Sequence, residues 1–271
     1  MSGKAKAATD KAALTMKDPG TFEEAMSRSD VWHWKKACTE ELEEFVRQEV
    51  FSAVPTPIGR KVVGCKWVFK TKLDSEGQVE RYKARFVAQG FSQIPRVDFD
   101  ETFAPVMCHQ TFRMLLALAN QHDWHVHQMD VKSAFLNGEL NTEIFMKIPP
   151  GVEGQSGEVW LLHKALYGLK QASREWYHKL KGQLEGLGFR RSDADHGVFT
   201  KIIMGKLFVI AIYMDDFLLF SGSIDDIKTV KSDLKKCFDM KDLEEAKWIL
   251  QMKIDRSGRN SRTRKLSICQ E

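Results

Sequence analysis

The stretch FVIAIYMDDFLLFSG, residues 208–222, constrains this chain more than any other. Two carboxylates, Asp215 and Asp216, stand between two runs that are almost wholly apolar. Phe208–Met214 reads as a buried strand and Phe217–Phe220 as another. A tight hairpin turn prefers Asn-Gly or Asp-Gly because its loop needs positive φ, yet Met214-Asp215-Asp216 offers no glycine. An ionised carboxylate taken out of water is costly unless it is paired or bound to a metal. The pair is therefore either a solvated turn or the holder of a cation.

The 271 residues suffice for one large domain or two lobes. With 43% hydrophobic and 29% charged residues, disorder of the whole chain is not expected. A net charge of +4 is too small to attract a polyanion by itself, so any such site needs local clustering. No apolar run is long enough for a membrane span, and the N-terminal MSGKAKAATDKAALTMKDPG lacks the apolar core of a secretory signal. The five cysteines are scattered and form no CxxC pair, which predicts reduced thiols without a zinc site or disulfide framework.

Residues 1–20 are small, polar and charged, and are expected to be mobile. From Asp30 to Val50, Trp34, Ala37, Leu42, Phe45 and Val46 recur at helical spacing, with Ser29 or Asp30 as a cap. Residues 62–73 and QVERYKARFVA flank DSEG and predict a hairpin. Strand alternation puts Lys66, Lys70 and Lys72 on one face, and likewise Arg81, Lys83 and Arg85, with Trp67, Phe69, Leu73, Tyr82 and Phe86 opposite. Six cations on one face suit phosphates; the simpler reading is a solvated face over an aromatic core. Residues 111–122 predict a helix capped by Thr111, WHVHQMDV a strand, residues 169–187 a helix closed by Gly188, and SIDDIKTVKSDLKKCF a helix capped by Ser223. Hairpins and irregularly mixed helices argue for an α+β fold.

His125 and His127 share a strand face, but no third ligand at a familiar zinc spacing accompanies them. No P-loop and no GxGxxG are present. The basic run RSGRNSRTRK, 256–265, reads as an exposed turn that could also touch a phosphate backbone. A stronger case joins Asp215 and Asp216 to Asp130, which ends the strand WHVHQMDV and precedes KSAFLNG. Carboxylates from two strand ends can hold two divalent ions that stabilise the attacking and leaving oxygens of a phosphoryl transfer. Magnesium, which prefers hard oxygen ligands, suits such a site. Asp215 and Asp216 both approach it only if a turn lies there, since adjacent strand residues diverge.

YMDD within IAIYMDDFLLFSG resembles the polymerase motif of reverse transcriptases. HQMDVKSAFLNGELNTEIFMKIPPG, LHKALYGLKQASREWYHKL, GCKWVFKTKLDSEGQVERYKARFVAQGFSQ and VDFDETFAPV, taken together, resemble the Ty1/copia class of retrotransposon reverse transcriptase over residues 21–271. The resemblance implies a right-hand polymerase whose fingers and palm interleave along the chain, the palm being an antiparallel sheet backed by helices. It implies RNA-directed DNA polymerase activity, with two Mg2+ ions (or Mn2+) at Asp130, the Val131 carbonyl, Asp215 and Asp216. Tyr213 and Met214 complete that motif. Phe135 matches the steric gate against ribonucleotides. Tyr167, Gly168 and Lys170 match the segment lining nucleotide and template. Lys83 and Arg85, with Lys66 and Lys70 behind them, become candidates to hold the dNTP triphosphate. Implied partners are a primed RNA or DNA template, dNTPs, and integrase and ribonuclease H regions of a polyprotein, with no membrane. The implied setting is intracellular, a cytoplasmic virus-like particle or the nucleus.

Some positions depart from the pattern. Glu244 and Gln251 stand where the family shows glycines, and Ser173 where it shows proline. The expectation for 21–271 is a reverse transcriptase domain truncated before its thumb. The alternative to an active polymerase is a catalytically dead or truncated relic that at most binds nucleic acid.

Overall fold

The structure is a computed structural model and describes residues 17–74, 76–249, 252–257 and 265–270. In chain order the elements are helices α1 (Phe22–Ser27) and α2 (Val31–Arg47), then strands β1 (Phe51–Pro55), β2 (Val62–Val63), β3 (Cys65–Leu73) and β4 (Val79–Ala88). Helix α3 (His109–Gln121), β5 (His125–Val131), β6 (Glu139–Met146), β7 (Glu158–Lys164) and α4 (Ala172–Gly186) follow. Strands β8 (Arg190–Arg191), β9 (Val198–Ile203), β10 (Lys206–Tyr213) and β11 (Asp216–Ser221) lead to α5 (Ile224–Cys237). The last strands are β12 (Met240–Glu245), β13 (Trp248–Ile249), β14 (Met252–Ser257) and β15 (Lys265–Gln270). The chain divides into two compact units, each drawn from two separate segments: Met1–Thr102 with Glu139–Ala172, and Phe103–Gly138 with Ser173–Glu271.

The second unit is built on a six-stranded sheet of order β12-β5-β11-β10-β9-β8, antiparallel throughout. Alternation along β10 and β11 sends Ile210, Ile212, Phe217 and Leu219 to one face, where they pack with Trp176, Leu180, Leu184, Ile227 and Leu234 of α4 and α5. Val209, Ala211, Leu218 and Phe220 go to the other face with Phe112, Leu115 and Leu116 of α3. Both faces are covered, which is why these strands read as unbroken apolar runs rather than alternating ones.

The first unit holds a four-stranded sheet, β1-β7-β6-β2, and the two-stranded ribbon β3-β4. Its core is aromatic. Trp34 of α2 meets Phe69 and Tyr82 edge-on at 5.2 and 4.7 Å between ring centroids, and Phe86 lies 5.3 Å from Trp67 and 5.7 Å from Trp160. The side-chain sorting expected for the β3-β4 hairpin is observed along most of its length, with Trp67 opposite Phe86 and Lys70 opposite Lys83, but Leu73, expected beside Trp67 and Phe69, lies past a register shift at the strand end and is exposed.

Several helix boundaries differ from those expected. Helix α3 begins at His109, so Thr111 lies inside it and is no cap. The start is set from a distance: the Cys108 N–H donates to the Asp195 carboxylate at 2.9 Å. Helix α4 begins at Ala172 rather than at 169, because Gly168 has φ of +92° and the Lys170 N–H donates to the Gln93 side chain. Its other end is the expected one: past Gly186, Gly188 closes the helix in the left-handed conformation at φ of +83°, its N–H donating to the Glu185 carbonyl and the Phe189 N–H to the Leu184 carbonyl. Asp30 occupies the cap position of α2, but its carboxylate is paired with Arg28 at 3.0 Å and caps nothing. Ser223 does cap α5, accepting from the Asp226 N–H. Of the segment expected to be mobile, 1–16 lie outside the described residues, whereas Asp18 accepts from the Thr71 N–H and pairs with Lys70. The basic run 256–265 lies largely outside them as well, as does Gln251.

Candidate active site

The β10–β11 hairpin closes on the pair Tyr213 and Asp216, leaving Met214 and Asp215 as a two-residue loop. Met214 carries φ of +57° and Asp215 is not in the positive-φ region. Positive φ at the first central residue alone is the type II′ pattern, which favours glycine there. A side chain at that position costs about 1–2 kcal/mol, and such strain persists only where the surroundings enforce it. Asp215 is pinned through its backbone, its carbonyl accepting from the Val131 N–H at 3.0 Å.

The first residue of β11, Asp216, lies directly opposite Asp130 of β5. Opposed residues of an antiparallel pair share a face with Cβ atoms about 5 Å apart. The register thus brings two carboxylates, 86 positions apart in the sequence, to one strand end. Gln128, also on this face, donates its amide to Asp216 Oδ1 at 2.8 Å. Burial raises the Asp216 carboxyl above its ordinary range, the Gln128 bond works against that, and the neighbouring Asp215 charge adds to the rise. A cation would relieve both unfavourable effects, and the all-oxygen donor set suits a hard divalent ion. Among the described residues no group of three or more His, Cys, Asp or Glu is gathered closely enough to hold a metal ion. Asp130 and Asp216 are brought together; Asp215 sits one residue off, in the turn.

Phe135 lies on a single 3-10 turn, Ala134–Asn137, entered through Ser133 at φ of +49°. It is half-buried against the core under the sheet. Phe135, Met214, Trp176 and Ile212 line one cavity of about 200 Å3 in this unit.

The remaining candidates belong to the other unit. The six cations of β3 and β4 do share one face of the ribbon, but they are not all free. Lys70 is paired with Asp18 at 3.0 Å and Arg81 with Glu40 at 3.2 Å. Lys66 is exposed. The Arg85 guanidinium stacks over the Tyr167 ring at 4.9 Å from its centroid. Lys83 is pushed below the usual ammonium range, first by burial and then by Arg85, with Glu41 opposing. Tyr167 and Gly168 lie backbone to backbone against the end of β4: the Ala88 N–H donates to the Tyr167 carbonyl and the Gly90 N–H to the Gly168 carbonyl. A Cβ on Gly168 would sit 2.0 Å from the Ala88 carbonyl oxygen. Lys170 holds its backbone N–H on Gln93 and leaves its side chain exposed.

Two features here carry no signal in spacing. Gln128 bears on Asp216 only because of the strand register. Gln93 and Gln171 are buried and bonded to each other, and Gln171 donates on to the Asp98 carbonyl. His127, which the sequence pairs with His125 on one strand face, is buried, and its Nδ1 accepts from Lys231 Nζ at 2.8 Å.

A family model described as reverse transcriptase (RNA-dependent DNA polymerase) matches residues 48–268. The chain is 40% identical over 258 residues to the retrovirus-related Pol polyprotein from transposon TNT 1-94 of Nicotiana tabacum, covering 94% of this chain and 19% of that protein. It is 36% identical over 227 residues to the corresponding polyprotein from transposon RE1 of Arabidopsis thaliana, covering 82% of this chain and 15% of that protein. Transposon RE2 of the same plant gives 34% over 242 residues, with 88% of this chain and 16% of that protein covered. The chain thus spans less than a fifth of the length of these relatives. A solved foamy viral protease-reverse transcriptase in complex with double-stranded DNA superposes with a TM-score of 0.43 and 13% identity, over 83% of this chain and 34% of that one, too weak a likeness to bear on the fold.

Proposed function

We propose, from the premise that this chain belongs to the reverse transcriptase (RNA-dependent DNA polymerase) family and to its Ty1/copia-type transposon polyproteins, that it extends a primer 3′-hydroxyl with dNTPs on an RNA or DNA template. The observation that carries the reading is the register of Asp216 against Asp130 at the strand end beside the Asp215 turn. The six-stranded antiparallel sheet is the palm in this reading, and the β3-β4 ribbon belongs to the fingers.

Asp130, Asp215 and Asp216, with the Val131 carbonyl, would hold two Mg2+ ions, for which Mn2+ could substitute. Such ions stabilise the attacking and leaving oxygens of a phosphoryl transfer. The chain's own residues supply positioning and charge. Gln128 keeps Asp216 Oδ1 engaged and thereby orients that carboxylate. Phe135 stands as the wall against a ribose 2′-hydroxyl. Lys66, Lys83 and Arg85, with Lys70, neutralise the triphosphate, and the stack on Tyr167 keeps the Arg85 guanidinium from wandering. Tyr167, Gly168 and Lys170 line the nucleotide and template. Among the described residues no helix is long and apolar enough to cross a membrane. Integrase and ribonuclease H regions of a polyprotein, and a cytoplasmic particle or the nucleus as the setting, complete the reading.

The test is primer extension on poly(rA)/oligo(dT) with Mg2+. Extension by the unmodified chain, abolished in Asp215→Asn while duplex binding survives, is the expected outcome. Equal extension by Asp215→Asn would reject the assignment of the carboxylates. Duplex binding without any extension would favour the second reading, a nucleic-acid-binding relic, to which the side chain at Glu244 points.

A further inference from the structure

The catalytic turn has a second fastening besides the Val131–Asp215 bond. The indole Nε1–H of Trp176, on α4, donates to the Met214 carbonyl at 3.0 Å. Met214 is the residue with φ of +57°, and its side chain is half exposed, so packing of that side chain does not hold the turn. The backbone is held instead, at two successive carbonyls, by donors from α4 and β5.

Trp176 is itself immobilised. It is buried, with its ring edge-on to Phe238 at 5.1 Å. Its main chain lies so close to Gly138 that any Cβ there would come within 2.8 Å of the Trp176 nitrogen. Gly138 follows the 3-10 turn that bears Phe135. The Asn-Gly that ends SAFLNG therefore permits the close approach of α4, and α4 presents the donor that fixes the strained residue of YMDD.

We propose that Trp176 is a positioning residue: its indole N–H imposes the positive-φ conformation of Met214 and so sets where the Asp215 carboxylate stands relative to Asp216 and Asp130. This inference rests on the polymerase reading of those carboxylates.

Trp176→Phe keeps one aromatic ring in the core and deletes the donor, at the cost of a void where the larger indole packed. The expected result is a folded variant with a lowered thermal midpoint. Its Mn2+ affinity, read as free ion by EPR, falls about 10–100-fold, the usual range for loss of a residue supporting metal ligands. Its turnover in single-nucleotide incorporation falls similarly, with KM for the dNTP little changed. A folded Trp176→Phe with unmodified Mn2+ affinity and turnover overturns the inference. Adding Met214→Gly, which adopts positive φ without strain, should return Mn2+ affinity toward that of the unmodified chain; failure to do so also overturns it. If Trp176→Phe does not fold, the unmodified chain decides. The Trp176 indole proton should resonate downfield of that of Trp34, whose buried Nε1 has no acceptor among the described residues; the reverse order rejects the bond. An unmodified chain that binds no Mn2+ sinks the carboxylate reading and this inference together. Mn2+ binding and extension by the unmodified chain, matched by Trp176→Phe, sink this inference alone.

Discussion

Gln128 and Asp216 are joined across neighbouring strands by a 2.8 Å bond from the Gln128 amide to Asp216 Oδ1. A donor to a carboxylate favours its charged form, so this bond holds the Asp216 carboxyl below where burial and Asp215 would put it. In Gln128→Leu the Asp216 carboxyl should titrate at still higher pH than in the unmodified chain. A carboxyl-resolved 13C titration checks this, and an unchanged or lowered midpoint would show that the bond does not form in solution.

Glu244 sits at φ of +61° within a bulge between Asp242 and Glu245, where β12 slips against β5. The backbone at this position is one that glycine adopts freely, although the side chain is glutamate. The bond at the bulge corner from the Glu244 N–H to the Asp242 carboxylate uses the main chain and survives substitution. Glu244→Gly should raise stability by about 1 kcal/mol, the strain relieved less the added chain entropy. Urea unfolding measures it, and a destabilised variant would mean that contacts of the Glu244 side chain outweigh the strain.

Gly168 combines φ of +92° with the approach of the Ala88 carbonyl. Gly168→Ala would force apart the two backbone stretches that carry Tyr167 and the end of β4. The loss should exceed about 2 kcal/mol, in the range of core overpacking, and the Arg85–Tyr167 stack should loosen with it. A near-neutral change in the urea midpoint would contradict the close approach.

His127 is held below its ordinary range, first by burial and then by the adjacent Lys231 charge, with Asp242, Glu245 and Glu244 opposing. The folded state thus binds a proton on His127 less readily than the unfolded chain does. Stability from the neutral ring is fully present above about pH 6.5, the unfolded value, and is lost as pH falls toward the lower folded value. Asp242, itself held low, contributes only to losses at still more acid pH. The urea midpoint should hold above about pH 6.5 and fall as the pH drops below that unfolded value, and His127→Gln should flatten that fall. An equal fall in both chains would place the proton elsewhere.

Burial pushes the Cys38 thiol up to about 12 and the Cys65 thiol up to about 11. The thiolate is the reactive form. Cys108 is exposed. Mass-spectrometric mapping of limited iodoacetamide labelling near neutral pH should find Cys108 modified well before Cys38 and Cys65; early labelling of Cys38 would mean that α2 opens readily.

Much of this protein is legible in one dimension because its signals are local. Period-two alternation is enough to sort Trp67 and Phe69 from Lys66 and Lys70, and Ser223 marks the start of α5 through a bond spanning three residues. The blocks around Asp130 and YMDD name the family by their order along the chain. What tertiary structure decided are relations between residues that no local rule connects. Thr111 has the chemistry of a cap, but Asp195, 87 positions from Cys108, takes the N–H that sets the helix start. The cationic face is uniform in the sequence, whereas in the fold Asp18 and Glu40 neutralise part of it. Gln128 and Trp176 bear on Asp216 and the Met214–Asp215 turn only because strand register and helix packing bring a donor to a carboxylate and to a strained carbonyl. Sequence spacing encodes which face a side chain takes within its own element; which partner meets it there depends on how distant elements close together.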